Sequence, residues 1–115
     1  MTIKEAQELV AAWEGKLPSR HRSELTNMAA LTEEVGELVH VIARRHGELH
    51  PTSELLRREM ANELGDVFWV LLSISEQAGV DLTEALIDDL EKRNHSDSSG
   101  RRRCARGGDA EKRDD

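Results

Sequence analysis

Apolar residues recur at helical spacing along most of the chain. Near the start, Thr2 and Glu5 form a capping-box pattern, and an apolar stripe follows at Ile3, Ala6, Leu9, Val10 and Trp13. Gly15 and Pro18 then interrupt the stripe. This pattern predicts a first helix over about residues 3–14.

Three further helical segments follow. One stripe runs from Ser23 to His46 with near-3.6-residue periodicity, and a second begins after Pro51 and is expected to stop at Gly79. Asp81 and Glu84 form another capping-box pattern, which opens a shorter fourth helix. Strand-like alternation is missing from the sequence, so we predict an all-α, four-helix bundle-like fold.

The helical pattern is expected to end near His95. From Ser96 onward, the sequence SDSSGRRRCARGGDAEKRDD has no apolar periodicity and is rich in Gly, Ser and charge. We therefore predict one domain over residues 1–95 and a disordered charged tail over residues 96–115. With 37% apolar and 3% aromatic residues, the chain has material for one small, mainly aliphatic core.

Charge differs between the two parts. Residues 1–95 contain 10 Lys or Arg against 18 Asp or Glu, a balance of −8, whereas residues 96–115 contain six against five, a balance of +1. An acidic body repels a polyanion, so we expect no direct binding of nucleic acid. Binding of a divalent cation becomes the more relevant hypothesis.

Features of a membrane or secreted protein are also missing from the sequence. The longest uncharged apolar run, around residues 67–75, falls far short of the roughly 20 residues that span a bilayer. The opening MTIKEAQELV mixes acids with apolar residues, unlike a secretion signal. The lone cysteine, Cys104, can form neither an internal disulfide nor a zinc site. We expect a cytoplasmic protein that does not span a membrane.

Two acidic motifs within the long helices are the strongest chemical signal. Glu34 and Glu37 are three residues apart, as are Glu63 and Asp66, so each pair projects from one helical face. If the two helices are antiparallel neighbours, all four carboxylates converge. Close like charges repel and raise one another's pKa unless a cation neutralises them. Hard oxygen ligands favour Mg²⁺, with Mn²⁺ as a substitute.

The surroundings of these motifs distinguish them from ordinary surface acids such as Asp88 and Glu91. Both motifs lie in apolar stretches, LTEEVGELVHVI and ANELGDVFWVLL, where the acids must border the core. Gly36 and Gly65 each cost about 1 kcal/mol relative to Ala inside a helix. We expect them either to let the helices approach closely or to leave room for a ligand above the carboxylates.

The spacing of the two motifs resembles a known family. EVGE followed by ELGD, with 25 residues between Glu37 and Glu63, is similar to the ExxE…ExxD signature of the MazG-type all-α nucleoside triphosphate pyrophosphohydrolases. The similarity extends to LTNMAALTEEVGELVHVIARRHGE, ELGDVFWVLLSISEQAGVDLTEAL and LEKRN. It covers roughly residues 2–95 and is greatest to the small single-domain members.

This resemblance implies Mg²⁺-dependent hydrolysis of a nucleoside triphosphate, at the α-phosphate, to the monophosphate and pyrophosphate. It assigns the metal to four catalytic acids, Glu34, Glu37, Glu63 and Asp66. Glu33 is then a second-metal ligand or a water-orienting base, or else an exposed acid beside the site. Lys92 and Asn94 would contact the phosphates, unless basic residues here only complement the C-terminal end of the helix.

Three residues are candidates for contacting the nucleobase. Trp13 ends the first helix and could stack on a base. Trp69 follows Asp66 by three residues, but an indole on a helical stripe is more typical of a core, and we interpret it so. Asn27 precedes Glu34 by seven residues on the same face, where it either hydrogen-bonds the nucleotide or is a polar residue at a helix start.

The third helix also predicts self-association. Residues 67–72 are six consecutive apolar residues that surround the helix, whereas a small bundle hides only about half of a helix. We expect a homodimer or homotetramer. Two alternatives differ in kind: a non-catalytic oligomeric nucleotide-binding or assembly module of the same fold, and a di-iron bundle. The latter requires Glu-x-x-His pairs, and Glu37 with His40 is only a partial match.

Overall fold

The protein consists of four helices, seen in a computed structural model that describes residues 1–16, 23–47 and 53–108, with side chains described as far as Ser98. The helices are α1 (Ile3–Gly15), α2 (Glu24–Arg45), α3 (Ser53–Ala78) and α4 (Leu82–Gly108). These described ranges contain no strand. The prediction of an all-α, four-helix fold is confirmed.

Local sequence signals set the helix ends. The Glu5 backbone N–H donates to Thr2 Oγ1 and the Thr2 backbone N–H donates to Glu5 Oε2, each at 3.1 Å, so the predicted capping box begins α1. At the end of α3, Gly79 has a φ of +67°, and the Val80 backbone N–H donates to the Ser75 carbonyl at 2.9 Å. This left-handed glycine ends α3 as predicted.

Helices α2 and α3 are antiparallel neighbours. Arg44, near the end of α2, pairs with Glu59 near the start of α3, whereas Asn27, near the start of α2, bonds to Ser73 near the end of α3. As the residue number rises along α2, the number of the paired residue on α3 falls. The geometry on which the convergence of the acids depends is therefore present.

Helix α1 packs on α3 through buried polar contacts. Gln7 Nε2 donates to Ser75 Oγ at 2.7 Å, and Ser73 Oγ donates to Glu14 Oε2 at 2.8 Å. Gln7 and Glu14 are seven residues apart and so lie on one face of α1, two turns from each other. The two bonds fix how far along α3 this helix sits.

The core is small and partly polar. Among the described residues, its buried apolar members are Ala6, Val10, Val41, Val70 and Leu72, and its buried polar members are Gln7, Asn27, Ser73 and Ser75. Many large apolar side chains therefore remain at the surface of this chain. Of the predicted circumferential stripe, Val70 and Leu72 are buried, whereas Phe68 and Leu71 are more than 40% exposed.

The chain divides into two compact units, residues 1–81 and residues 82–115. The second unit contains α4, whose backbone continues to Gly108 rather than ending near His95 as the sequence pattern predicts. Extending a formed helix costs far less than starting one, and Arg and Ala within residues 101–106 favour it. Residues 109–115 lie outside the described part.

Helix length and composition also bear on membrane insertion. In the described parts of the chain, none of the helices combines the length and the apolar character needed to cross a membrane.

Candidate active site

Four carboxylates meet where α2 crosses α3. Glu34 and Glu37 come from α2, Glu63 and Asp66 from α3, and one oxygen from each lies within 4.8 Å of the others. The predicted spatial convergence is present. It follows from the antiparallel pairing, since each i, i+3 pair faces the opposite helix.

Partial burial and mutual repulsion disfavour the charged forms of two of these acids. Removal from water, and then the charges of Glu37 and Asp66, raise the pKa of Glu34. Removal from water also raises the pKa of Glu63, and a hydrogen bond with Glu37 and its charge add to the shift. Within the described residues, Oε2 of Glu34 and Oε2 of Glu63 are buried and have no hydrogen-bond partner. The site thus contains buried acceptor oxygens that no donor among the described residues satisfies.

A hard divalent cation fits this arrangement. A cation would neutralise the crowded charge and occupy the unpartnered oxygens, and a set made of carboxylates alone suits Mg²⁺ or Mn²⁺ better than zinc. The group contains no histidine, which is unlike the Glu-x-x-His pairs of di-iron bundles. Glu33 lies beside the group and is exposed.

The two motif glycines leave open space. A Cβ built on Gly36 or on Gly65 would meet nothing within 4 Å among the described residues. The expectation that these glycines let the helices approach closely is therefore wrong. The alternative, room for a ligand above the carboxylates, remains a prediction, and Gly36 does line the cavity described next.

A cavity of about 430 Å³ opens beside the acids, toward the C-terminal end of α2. It is lined by Glu33, Gly36, Glu37, His40, Val41, Arg44, Glu59 and Glu63. Arg44 Nη1 donates to Glu59 Oε2 at 3.0 Å and so joins α2 to α3 at this cavity. Neither Arg44 nor Glu59 belongs to a motif that the sequence alone marks as functional. The available signal was the seven-residue spacing between Glu37 and Arg44, which places both on one helical face.

Two tryptophans form a pair one turn beyond the acids. The ring centroids of Trp13 and Trp69 are 5.3 Å apart, and the rings are nearly perpendicular at 88°. Trp13 is 44% exposed and Trp69 is 37% exposed. The interpretation of Trp69 as a core residue is wrong, because its indole lies at the surface against Trp13.

Asn27 lies inside the first unit. It is completely buried, and its Nδ2 donates to Ser73 Oγ at 3.1 Å and to Gln77 Oε1 at 2.8 Å. Its Oδ1 has no hydrogen-bond partner in the part of the chain that the structure describes. The residue predicted to touch the nucleotide is closed off from solvent here.

Lys92 and Asn94 lie on α4, in the second unit, and both are exposed. Between them, Arg93 Nε donates to Asp89 Oδ2 one turn earlier, at 3.0 Å. This bond stays within one helix, so it shows Arg93 supporting α4 itself. The phosphate contacts predicted for Lys92 and Asn94 remain predictions.

Comparisons with known proteins identify a family. The profile of the MazG nucleotide pyrophosphohydrolase domain matches residues 22–98. YpjD of Bacillus subtilis (strain 168), an uncharacterized protein, is 34% identical over 84 residues, which cover 73% of this chain and 76% of YpjD.

Solved structures are similar as well. The crystal structure of the Bacillus-conserved MazG protein, a nucleotide pyrophosphohydrolase, has a TM-score of 0.68 and 33% identity, covering 80% of this chain and 88% of that one. The crystal structure of YPJD from Bacillus subtilis has a TM-score of 0.71 and 33% identity, covering 80% and 94%.

The fold is all-α with four carboxylates facing one another across two antiparallel helices, and the family model and similar structure that match it are those of nucleotide pyrophosphohydrolases, a class of hydrolases. The chain belongs to the MazG nucleotide pyrophosphohydrolase family. It is an enzyme of that class, which removes the non-catalytic module from consideration.

Proposed function

We propose that the protein is a Mg²⁺-dependent nucleoside triphosphate pyrophosphohydrolase, which converts a (d)NTP to the (d)NMP and pyrophosphate. The observation that carries this proposal is the convergence of Glu34, Glu37, Glu63 and Asp66 in a chain of this family. A triphosphate is itself strongly negative, so it can approach four carboxylates only with cations between them. The proposed role is house-cleaning or control of the nucleotide pool.

The four acids would hold the metal, and Glu33 would orient or deprotonate the attacking water. When bound, Mg²⁺ neutralises charge on the triphosphate and lowers the pKa of a water. The water oxygen attacks the α-phosphorus in line, and the bond from that phosphorus to the α,β-bridging oxygen breaks. The electron pair leaves with pyrophosphate, and the proton from water passes to an acceptor such as the Glu33 carboxylate.

Further substrate contacts are proposed for Trp13 and for two residues of the second unit. Trp13 would stack on the base. Its indole is exposed, and it contacts Trp69, which lies one turn along α3 from the carboxylates. Lys92 and Asn94 would bind phosphate oxygens, as a cation and a donor. Asn27 is buried, so it would not contact the nucleotide. It would affect nucleotide binding indirectly, by holding α2 against α3.

The decisive experiment is a panel of canonical and damaged NTPs and dNTPs incubated with Mg²⁺, with pyrophosphate and orthophosphate scored separately. We expect equal amounts of monophosphate and pyrophosphate. In ¹⁸O-labelled water, the label should enter the monophosphate, because attack is at the α-phosphorus. Orthophosphate as the first product, or label in pyrophosphate, would contradict the assignment. The same panel identifies the preferred base and sugar.

The working unit is proposed to be a homodimer or homotetramer in the cytoplasm. Two helices each expose an apolar stripe at i, i+4, i+7 spacing: Val35, Val39 and Ile42 on α2, and Leu64, Phe68 and Leu71 on α3. Every one of these side chains is at least 40% exposed. Stripes of this kind are typical of a helix face that packs on another subunit.

A further inference from the structure

Arg44 places a positive charge beside the carboxylates. Arg44 lines the 430 Å³ cavity together with Glu37 and Glu63, its guanidinium bonds to Glu59 of the same lining, and His40 lies one turn closer to the acids on the same helix. Long side chains on a helix lean toward its N-terminus, so the arginine side chain leans from position 44 toward His40. A cation therefore adjoins the acid cluster at the cavity.

The groups on α3 follow one another in a fixed order. Glu59, Glu63, Asp66 and Trp69 are spaced by four, three and three residues, so they form one stripe along the helix. Glu59 holds Arg44 at one end of this stripe, and Trp69 contacts Trp13 at the other. The carboxylates thus lie between an aromatic pair and an arginine.

This order gives a bound nucleotide a direction. If the base lies at the tryptophans and the α-phosphate at the carboxylates, then the β- and γ-phosphates extend toward the cavity that Arg44 lines. We propose that Arg44 binds the pyrophosphate leaving group, with the His40 imidazole as a second donor in the same cavity. This inference rests on the proposed function.

The chemistry of the reaction favours a cation at this place. Negative charge builds up on the β-phosphate as its bridging oxygen leaves the α-phosphorus, and a guanidinium forks onto phosphate oxygens in a way that a lysine does not. In the free protein, the Glu59 carboxylate is the anion that the Arg44 guanidinium binds. The pair is only partly buried, with 42% of the Arg44 side chain and 32% of the Glu59 side chain exposed, so the guanidinium can exchange partners.

A purely structural role makes a different prediction. If the pair only ties α2 to α3, then neutralising either partner should have the same effect, a small loss of stability. If Arg44 binds pyrophosphate, the two neutral variants should act in opposite directions on pyrophosphate affinity. Glu59→Gln removes the carboxylate that competes with pyrophosphate for the Arg44 guanidinium. Arg44→Gln removes the guanidinium that would donate to pyrophosphate.

The test is calorimetric titration of the Mg²⁺-loaded protein with inorganic pyrophosphate and, separately, with a nucleoside monophosphate. We expect Arg44→Gln to weaken pyrophosphate binding about tenfold while leaving the monophosphate unaffected. Arg44→Lys should lose less, and Glu59→Gln should bind pyrophosphate more tightly than the wild type. Arg58→Gln is the matched control, because Arg58 pairs with Glu54 within α3 and does not line the cavity.

Three results would overturn the assignment: an Arg44→Gln affinity within about twofold of the wild type, an equal loss for both ligands, or weaker pyrophosphate binding in Glu59→Gln. Should Arg44→Gln fail to fold by circular dichroism, Arg44→Lys and Glu59→Gln decide the question. Failure of the proposed function is separate, because it appears as orthophosphate release by the wild type in the product panel.

Discussion

Asn27 of α2 donates through Nδ2 to Ser73 Oγ of α3, and Ser73 Oγ in turn donates to Glu14 Oε2 of α1. One chain of buried and partly buried hydrogen bonds therefore joins all three helices of the first unit. Because the core around it has few large apolar side chains, this chain is well placed to define how the helices fit together.

Truncating Asn27 should destabilise the first unit. Asn27→Ala removes two hydrogen bonds and leaves Gln77 Oε1 and Ser73 without their donor, a loss of about 1–3 kcal/mol. Thermal or urea unfolding measures it. Thr32→Ala is the control, since its exposed hydroxyl donates to the Met28 carbonyl within its own helix. Equal stability of the two variants would show that the buried chain contributes little.

The carboxylate cluster should be essential for turnover and should lower the stability of the protein when no metal is bound. Glu37→Gln and Asp66→Asn should each lower kcat by about 100-fold or more, the scale at which one electrostatic partner acts. Melting in chelator should be unchanged or higher, because a repelling charge has been removed. Asp88→Asn, on exposed α4, should alter neither property. Wild-type turnover in Glu37→Gln would exclude this residue as a ligand.

Stability without metal should depend on pH in a direction set by Glu34. A native pKa raised above the ordinary value of 4.5 means that the folded chain binds this proton more tightly than the unfolded chain. Its favourable contribution is complete below about pH 4.5 and is lost as pH rises through the raised value. Glu34→Gln should therefore melt higher than the wild type at pH 7, and this gap should close near pH 4.

Two controls test that explanation. Adding Mg²⁺ to the wild type at pH 7 should close the same gap, because the cation replaces the proton. Glu91→Gln, an exposed substitution on α4, should show no gap at either pH. A Glu34→Gln protein that melts lower than the wild type at pH 7 without metal would contradict the repulsion argument.

Short-range rules make two helix ends and the convergence of the four acids predictable from the sequence. The capping box at Thr2 and the left-handed glycine that ends α3 at Gly79 follow from local chemistry. The four acids converge because each pair has i, i+3 spacing and the two helices are antiparallel neighbours. The exposed position of Trp69 does not follow from the sequence, because an apolar stripe does not show which of its members face the partner helix. The pairing of Arg44 with Glu59, 15 residues apart in sequence, depends on the relative shift of two helices, which the spacing within either helix does not show.

The end of α4 shows a different limit. Residues 96–100 read as a helix stop because Ser, Asp and Gly favour turns, yet the backbone there is helical. Propensities describe each residue alone, whereas propagation from a helix already formed upstream is cooperative.

Trp13 should contribute to substrate binding more than to the chemical step. Trp13→Leu should raise KM several-fold with a small change in kcat, because the indole would stack on the base at a distance from the reacting phosphorus. Nucleotide binding should also quench tryptophan fluorescence in the wild type. Leu9→Ala, an exposed residue one turn earlier on α1, is the control. A fall in kcat with unchanged KM would exclude base stacking.

Subunit association should depend on the two exposed apolar stripes and not on the buried apolar residues of the core. Val70 is 3% exposed and belongs to the core of its own chain, so a charge there would damage folding rather than assembly. Leu71 and Val39 are 41% and 57% exposed and are the positions to substitute. Light scattering at micromolar concentration should give two or four times the chain mass of 12.9 kDa.

Leu71→Glu and Val39→Glu should shift that mass toward 12.9 kDa and lower activity together, while Ala12→Glu, at an exposed position of α1 outside both stripes, should change neither. Circular dichroism must show intact helices, so that loss of assembly is separated from loss of fold. The coupling of mass and activity is the informative result, because a carboxylate buried at an apolar contact opposes association without touching the metal ligands. A fully active wild-type monomer at 12.9 kDa would rule the interface out.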